Sequence, residues 1–563
     1  MHKPSFHLFI CSLIVFVIFS CEQKKEDEEK KRPNIVFIMS DDHAYQAISA
    51  YDTRLIHTPN IDRIAEMGML FTNASVTNSI CAPSRATILT GKHSHLNGKT
   101  DNHFPFDTTN VTFPQLFQDA GYQTAMFGKL HFGNNPKGFD QFKILPGQGN
   151  YYNPDFITKN EGNIKVEGYV TDIITDMTLD WLENEKVDDK PFMLMYLHKA
   201  PHREWLPAER HLAEFAQNEY PEPVTLFDDY SGRGTAAKEA EMNLLHHMNW
   251  AGDSKVYPEV MDELGIPDAS GWDKGAFKRE VGRMNSAQRE NWDKVYMPVN
   301  EEFKAAYPNM SEEEKMKWRY QRYMQDYLGT IASVDENVGR VLDYLEANGL
   351  MENTIIVYTS DQGFYLGEHG WFDKRFVYNE SFKTPLLMAW PGKIKAGSRS
   401  DEMVQNLDFA QTFLEAAGIE TPADMQGESL IPLLTGDTEK WDREAVYYHY
   451  YEYPSIHMVK RHYAIVTKEY KLIHFYFDVD EWELYDRMND PYELKNVYDD
   501  PEYAGIREKL HGELDAMRKK YGDSSEISQR LLEEYLRQFE KKGAEGFKDE
   551  QLQEILKKDT SLK

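Results

Sequence analysis

Five apolar runs set the plan of the chain. Residues 34–39, 123–127, 192–197, 354–359 and 385–390 are almost continuously apolar. This is the pattern of strands buried on both faces, not of half-exposed strands that alternate. Between the runs lie stretches with apolar positions at helical spacing, at residues 60–67 and 175–183. Strands alternating with helices predict an α/β domain, with a mostly parallel sheet flanked by helices.

Residues 204–325 interrupt the alternation. They are charged, rich in Met, Trp and Tyr, and without a clear strand. They read as a helical insertion near the mouth of a site, with helices predicted at 312–327 and 332–347. His246-His247 in this insertion reads as a surface or packing pair, because no further ligands recur beside it at metal-site spacing. Beyond residue 436 the pattern changes again. Short strands at 445–453, 462–466, 470–476 and 482–485 precede helices at 503–521 and 528–541. Residues 437–541 thus form a smaller C-terminal α+β domain, and 542–563 a polar tail.

The N-terminus carries a targeting pattern. His2 and Lys3 precede an apolar stretch at 8–19 that is short for a membrane span. Ile18-Phe19-Ser20-Cys21 resembles a bacterial lipoprotein box. That resemblance implies a signal peptide over 1–20, a lipid on Cys21 and a charged tether over 21–32, ahead of the main domain at 33–436. The expected location is the outer membrane or cell surface of a bacterium, or the periplasm if the signal is a plain secretory one. Cys11 and Cys21 belong to this segment, so Cys81 is the sole cysteine of the exported body and no disulfide framework is available there. A chain of 563 residues with 41% hydrophobic content can bury a large core in more than one domain. A formal net charge of −30 excludes non-specific nucleic-acid binding, which needs a basic surface.

The candidate chemistry follows the strands. Asp41 and Asp42 come after the first run, Lys129 and His131 after the second, the 198–202 segment after the third, and Asp361 and Gln362 after the fourth. Open α/β sheets bind ligands outside the carboxyl ends of their strands, so these stretches can meet at one edge. Asp41, Asp42, Asp361 and Gln362 all offer oxygen, a donor set that suits Ca2+ and, less well, Mg2+. Cys81 stands just ahead of a predicted helix whose first turn holds Pro83. Exposed N–H groups and the helix dipole favour an anion there.

Cys81-Ala82-Pro83-Ser84-Arg85, followed by Leu89-Thr90-Gly91, resembles the signature of type I sulfatases. Gly128-Lys129-Leu130-His131, Lys199-Ala200-Pro201-His202 and Gly367-Glu368-His369-Gly370 with Lys374 match further patterns of that family. The resemblance implies an alkaline-phosphatase-like fold and a Cys81 oxidised by a maturation enzyme to Cα-formylglycine. The hydrated aldehyde would be the nucleophile and a further ligand of the cation. It also implies the other roles. Arg85 orients the hydrate, Lys129 bridges nucleophile and sulfate, and Lys374 holds a sulfate oxygen. His202 protonates the leaving alcohol, and His131 takes a proton as sulfate is expelled. The family commonly has Asp-Asn where this chain has Asp361-Gln362, and glutamine still offers a carbonyl oxygen.

The likeness is to carbohydrate sulfatases, including N-acetylglucosamine-6-sulfatases. The implied substrate is a sulfated polysaccharide or oligosaccharide, either an algal glycan such as ulvan or a glycosaminoglycan. His103, Arg203, Trp205, His369, His457 and Arg461 are the candidate sugar contacts. Two alternatives stand beside this reading. One is a phosphatase or phosphodiesterase of the same fold, which ordinarily needs a second metal set. The other is a non-catalytic glycan-binding lipoprotein.

Overall fold

The computed structural model describes residues 31–268 and 271–542. The signal segment, Cys21, most of the tether and the tail beyond residue 542 lie outside the described residues.

Four of the apolar runs form adjacent parallel strands. They are β1 (Asn34–Ser40), β2 (Gln123–Lys129), β3 (Phe192–Leu197) and β4 (Thr354–Ser360), in the spatial order β4-β1-β3-β2. The fifth run, Leu386–Ala389, pairs antiparallel to β4. Further strands on both sides extend the sheet to ten, among them Met69–Phe71, Gln141–Leu145 and Asp155–Thr158. In β1, Ile35, Phe37 and Met39 enter one core layer while Val36 and Ile38 enter the other. Successive side chains point to opposite faces and both faces are covered, so the strand must be apolar throughout.

One layer packs beneath a helix of 36 residues, α3 (Glu312–Ala347). The predicted helices at 312–327 and 332–347 are thus one continuous element. Its start is fixed by a capping box in which the Ser311 hydroxyl accepts from the Glu314 N–H, with three glutamates in the first turn. The opposite layer includes α1 (Cys81–Thr90) and the helix Phe409–Ala416. The insertion forms short helices, among them α2 (Asp273–Val281), and the longer Ser286–Ala306.

The C-terminal sheet is a four-stranded antiparallel meander: Ala445–Tyr450, His462–Thr467, Tyr470–Phe475 and Glu481–Asp486. One face packs on the helix Ala504–Tyr521. The other seals against Tyr365, Trp371, Phe376 and Phe382, which follow β4 of the main sheet. This contact brings the loop that follows the first C-terminal strand to the carboxyl edge of the main sheet. No helix among the described residues is long and apolar enough to cross a membrane.

Candidate active site

In-register pairing of β1 with β4, Ser40 opposite Ser360, sets Asp41 and Asp361 side by side just beyond the strand ends. Asp42 follows with φ of 64°, a left-handed conformation that aspartate tolerates better than most residues. Tyr327 of α3 braces this turn. Its hydroxyl donates to the Asp42 carbonyl at 2.7 Å and accepts from the Ala44 N–H at 2.8 Å. On β2, Gly128 is required: a Cβ there would stand 1.7 Å from the Leu197 carbonyl oxygen. That close approach to β3 delivers Lys129 to the same point.

Helix α1 closes the site from one side, with every residue buried. Cys81 is its first residue, and its Sγ lies 3.5 Å from Asp41 Oδ1. Arg85, one turn later on the same face, points back to the strand ends. Its Nε donates to Asp361 Oδ2 and its Nη2 to Asp41 Oδ2, both at 2.9 Å, and Nη1 donates to the Lys129 carbonyl. Lys129 Nζ contacts Asp41 Oδ2. Lys374 Nζ donates to both oxygens of Asp42, at 2.6 and 2.7 Å. Three cations therefore meet three carboxylates whose ligand oxygens lie within 4.8 Å of one another.

The electrostatics are strongly coupled. Burial pushes Asp41 up, but Lys129 and Arg85 outweigh it and hold the carboxyl well below the usual range. Asp42 is pushed up to about 7 by burial, against the pull of Lys374 and with the push of Asp41 and Asp361. Burial and Asp41 raise both the Asp361 carboxyl and the Cys81 thiol.

A divalent cation fits these residues. Gln362 donates its amide N–H to Asp42 Oδ1, which leaves its Oε1 buried with no partner. A buried acceptor awaiting a partner, beside three clustered carboxylates, is the all-oxygen set a hard cation takes.

Above the carboxylates opens a cleft of about 540 Å³. His131, His202 and Lys374 line its inner part. His202 Nε2 lies 3.8 Å from Asp42 Oδ2, while Nδ1 faces the Arg203 carbonyl. That carbonyl accepts a hydrogen bond from Nδ1–H of the neutral ring, which leaves Nε2 to exchange a proton with the cleft. Burial, with Lys129 nearby, holds His202 and His131 well below the usual histidine value. His131 Nδ1 is buried without a partner.

Of the expected sugar contacts, His103, Arg203 and His457 line the cleft. Three others do not, and the expectation for them is corrected. Trp205 is fully buried, its ring 4.5 Å from that of Tyr323 on α3, in a cluster that includes Phe364. Its faces are taken by aromatic neighbours, so no pyranose stacks there. His369 is fully buried, with Arg233 Nη2 at 3.0 Å and Asp228 Oδ2 at 3.1 Å from its Nδ1. Arg461 is fully buried and donates its Nε to the Tyr451 carbonyl at 2.6 Å. His247 of the insertion accepts the Asn243 N–H on Nδ1 at 3.1 Å and so closes a local turn.

Several cleft residues escape the sequence reading. Asp373 and Arg375 flank Lys374, and that adjacency was the available signal. Arg375 Nη1 donates to Glu452 Oε1 at 2.9 Å, and His457 Nε2 lies 3.3 Å from Asp373 Oδ2. Lys199 places its Nζ 4.6 Å above the Tyr151 ring, and burial lowers it to about 8. Glu452 comes from the C-terminal domain, where no local pattern marks it.

Three cations around clustered carboxylates, beside a buried cysteine at a helix head, can hold and polarise an anionic ester. The sulfatase pattern covers residues 33–419, and the C-terminal pattern of N-sulphoglucosamine sulphohydrolase covers residues 367–520. The chain therefore belongs to the sulfatase family, whose members hydrolyse sulfuric esters. Among its relatives is an N-acetylglucosamine-6-O-sulfatase of Bacteroides thetaiotaomicron, 49% identical over 91% of this chain and 90% of that one. A solved structure of a protein in complex with its substrate D-glucosamine-2-N,6-O-disulfate superposes with a TM-score of 0.83, at 49% identity, over 88% of this chain and 99% of that chain. An ulvan-active sulfatase of Formosa agariphila is 24% identical over 93% of this chain and 89% of that one.

Proposed function

We propose that this protein is an exported sulfatase that removes a sulfate ester from an amino sugar of a glycosaminoglycan or its fragments, with 6-O-sulfated glucosamine as the foremost substrate. The observation that carries this reading is the placement of Cys81 against Asp41, with Arg85, Lys129 and Lys374 converging on the same carboxylates at the foot of a sugar-sized cleft. The relatives point from sulfate ester to sulfated glucosamine and make the algal glycan the weaker choice.

Asp41, Asp42, Asp361 and Gln362 would hold the divalent cation, preferentially Ca2+, which would supply positive charge against the sulfate. Conversion of Cys81 to Cα-formylglycine by a maturation enzyme would supply an aldehyde whose hydrate carries two hydroxyls on one carbon, one to take the sulfate and the other to lose its proton and expel it. The remaining work falls to the side chains. Arg85 fixes Asp41 and Asp361 and faces position 81. Lys129 and Lys374 bring positive charge to the sulfate oxygens, where preorganised charge lowers the barrier. His202 gives a proton to the departing sugar oxygen, and His131 takes one as the enzyme resets. Both rings are held neutral by burial, and an anionic ester between them raises their proton affinity.

Export rests on the lipoprotein-like box at Cys21.

The test is sulfate release from monosaccharides sulfated at the 6-, 4-, 3- or N-position, with and without chelator. Release from 6-O-sulfated glucosamine that chelation stops and Ca2+ restores is the expected result. Release confined to another position, or persistent after chelation, contradicts the proposal.

A further inference from the structure

The cleft has a second wall that the sulfate chemistry leaves unused. Glu204, two residues beyond His202, and Glu280, from α2 of the insertion, both line it. Their side chains retain only 7% and 8% exposure. Arg279 spans the pair, with Nη2 at 3.4 Å from Glu204 Oε1 and Nε at 3.2 Å from Glu280 Oε1. Asn150 Nδ2 also donates to Glu280 Oε1, at 2.8 Å. These contacts all arrive on Oε1. The Oε2 atoms of both glutamates are buried without a hydrogen-bond partner.

An unpaired buried carboxylate oxygen costs desolvation that a donor would recover. Arg279 pairs with both carboxylates, Lys199 and Lys255 add positive charge nearby, and Asp253 is occupied by Arg203. Burial, with Asp253 and Glu280 adjacent, pushes the Glu204 carboxyl up to about 7.

We infer that Glu204 and Glu280 form an acceptor subsite that takes a donor of the sulfated sugar, one of its hydroxyls or a free amine. This inference rests on the amino-sugar reading above. It assigns the helical insertion a role in selecting the sugar as well as in shaping the mouth.

The test compares sulfate release from 6-O-sulfated glucosamine carrying a free amine, an N-acetyl or an N-sulfo group, and from its 3-deoxy and 4-deoxy analogues. The wild type is set against a Glu204→Gln/Glu280→Gln double variant. Glutamine keeps the volume and removes the charge. If the amine is the donor, wild-type kcat/KM falls about tenfold from free amine to N-sulfo. That ratio then collapses in the variant, mainly through KM. If a hydroxyl is the donor, a deoxy analogue shows the loss in the wild type and not in the variant. Ratios that stay the same in wild type and variant across both series, with release continuing, overturn the inference. No release from any of these sugars by the wild type overturns the amino-sugar reading instead. The single Glu204→Gln variant, checked by its melting curve, carries the comparison if the double variant does not fold.

Discussion

Lys374 is the most informative single perturbation of the site. Its Nζ donates to both oxygens of Asp42, and neither side chain exceeds 3% exposure. Opposite charges 2.6 Å apart attract by about 6 kcal/mol at an effective dielectric near 20. Much of that attraction offsets the desolvation of both groups, but removing one partner strands the other, at a cost of about 3–5 kcal/mol. Lys374→Ala is thus expected to destabilise the metal-free protein by that amount and to regain part of it when Ca2+ is added, because the cation takes over the Asp42 charge. Turnover is expected to fall about 10²- to 10³-fold, the usual cost of one donor to a developing anion. The assay is denaturant unfolding in chelator and in excess Ca2+, for Lys374→Ala, Asp42→Asn and the double variant, with sulfate release measured alongside. Coupling of about 2 kcal/mol or more between the two positions, shrinking in Ca2+, is the expected outcome. Purely additive stability losses, with no dependence on Ca2+, refute the reasoning.

Three further outcomes follow from the geometry. Replacing His202 with Gln is expected to lower kcat about 10²- to 10⁴-fold on a sugar sulfate but far less on an aryl sulfate with a good leaving group, since the proton donor matters only for a poor one; equal losses on both sink the assignment. Trp205→Ala is expected to cost about 3–5 kcal/mol of stability while KM stays within a few-fold, because the ring is core and not cleft; a large KM rise in a variant of normal stability reverses that placement. Acid is expected to destabilise the fold through His43, His198 and His449, which burial holds at about 4, about 3 and about 4. Each is neutral when folded and gains a proton when unfolded below its ordinary value near 6.5, so stability is full above that pH and falls as pH drops towards 4, by about 1.4 kcal/mol per unit for each ring. A denaturation midpoint that holds or rises between pH 7.5 and 5.5 contradicts this.

The fold was legible where burial acts on both faces. Runs such as Ile35–Met39 have no polar position to confuse the period, and chemistry placed directly after them falls at the sheet edge by topology alone. The outer strand Gln141–Leu145 escaped because Gln141 and Lys143 are half-exposed at the flank of the sheet. The sequence reading leaves 328–331 out of the two helices that α3 joins, a stretch that includes Gly329, a weak helix former. In the structure that glycine serves a close approach, since a Cβ there would stand 2.9 Å from the Pro207 ring. Trp205, His369 and Arg461 were misplaced for one shared reason. Whether an amphipathic side chain faces a cleft or a core depends on partners such as Tyr323, Arg233 and Tyr451, and no local spacing records them. Glu204, Glu280 and Glu452 were invisible for the same cause.

The central claim is that position 81 carries the nucleophile of a sulfatase. Peptide mass spectrometry of the protein from its native host, coupled to sulfate release by the same sample and by Cys81→Ala, tests it most directly. The account predicts a mass shift of Cys81 to Cα-formylglycine and release that disappears in Cys81→Ala. Unmodified cysteine in a sample that still releases sulfate, or release that survives Cys81→Ala, would contradict it.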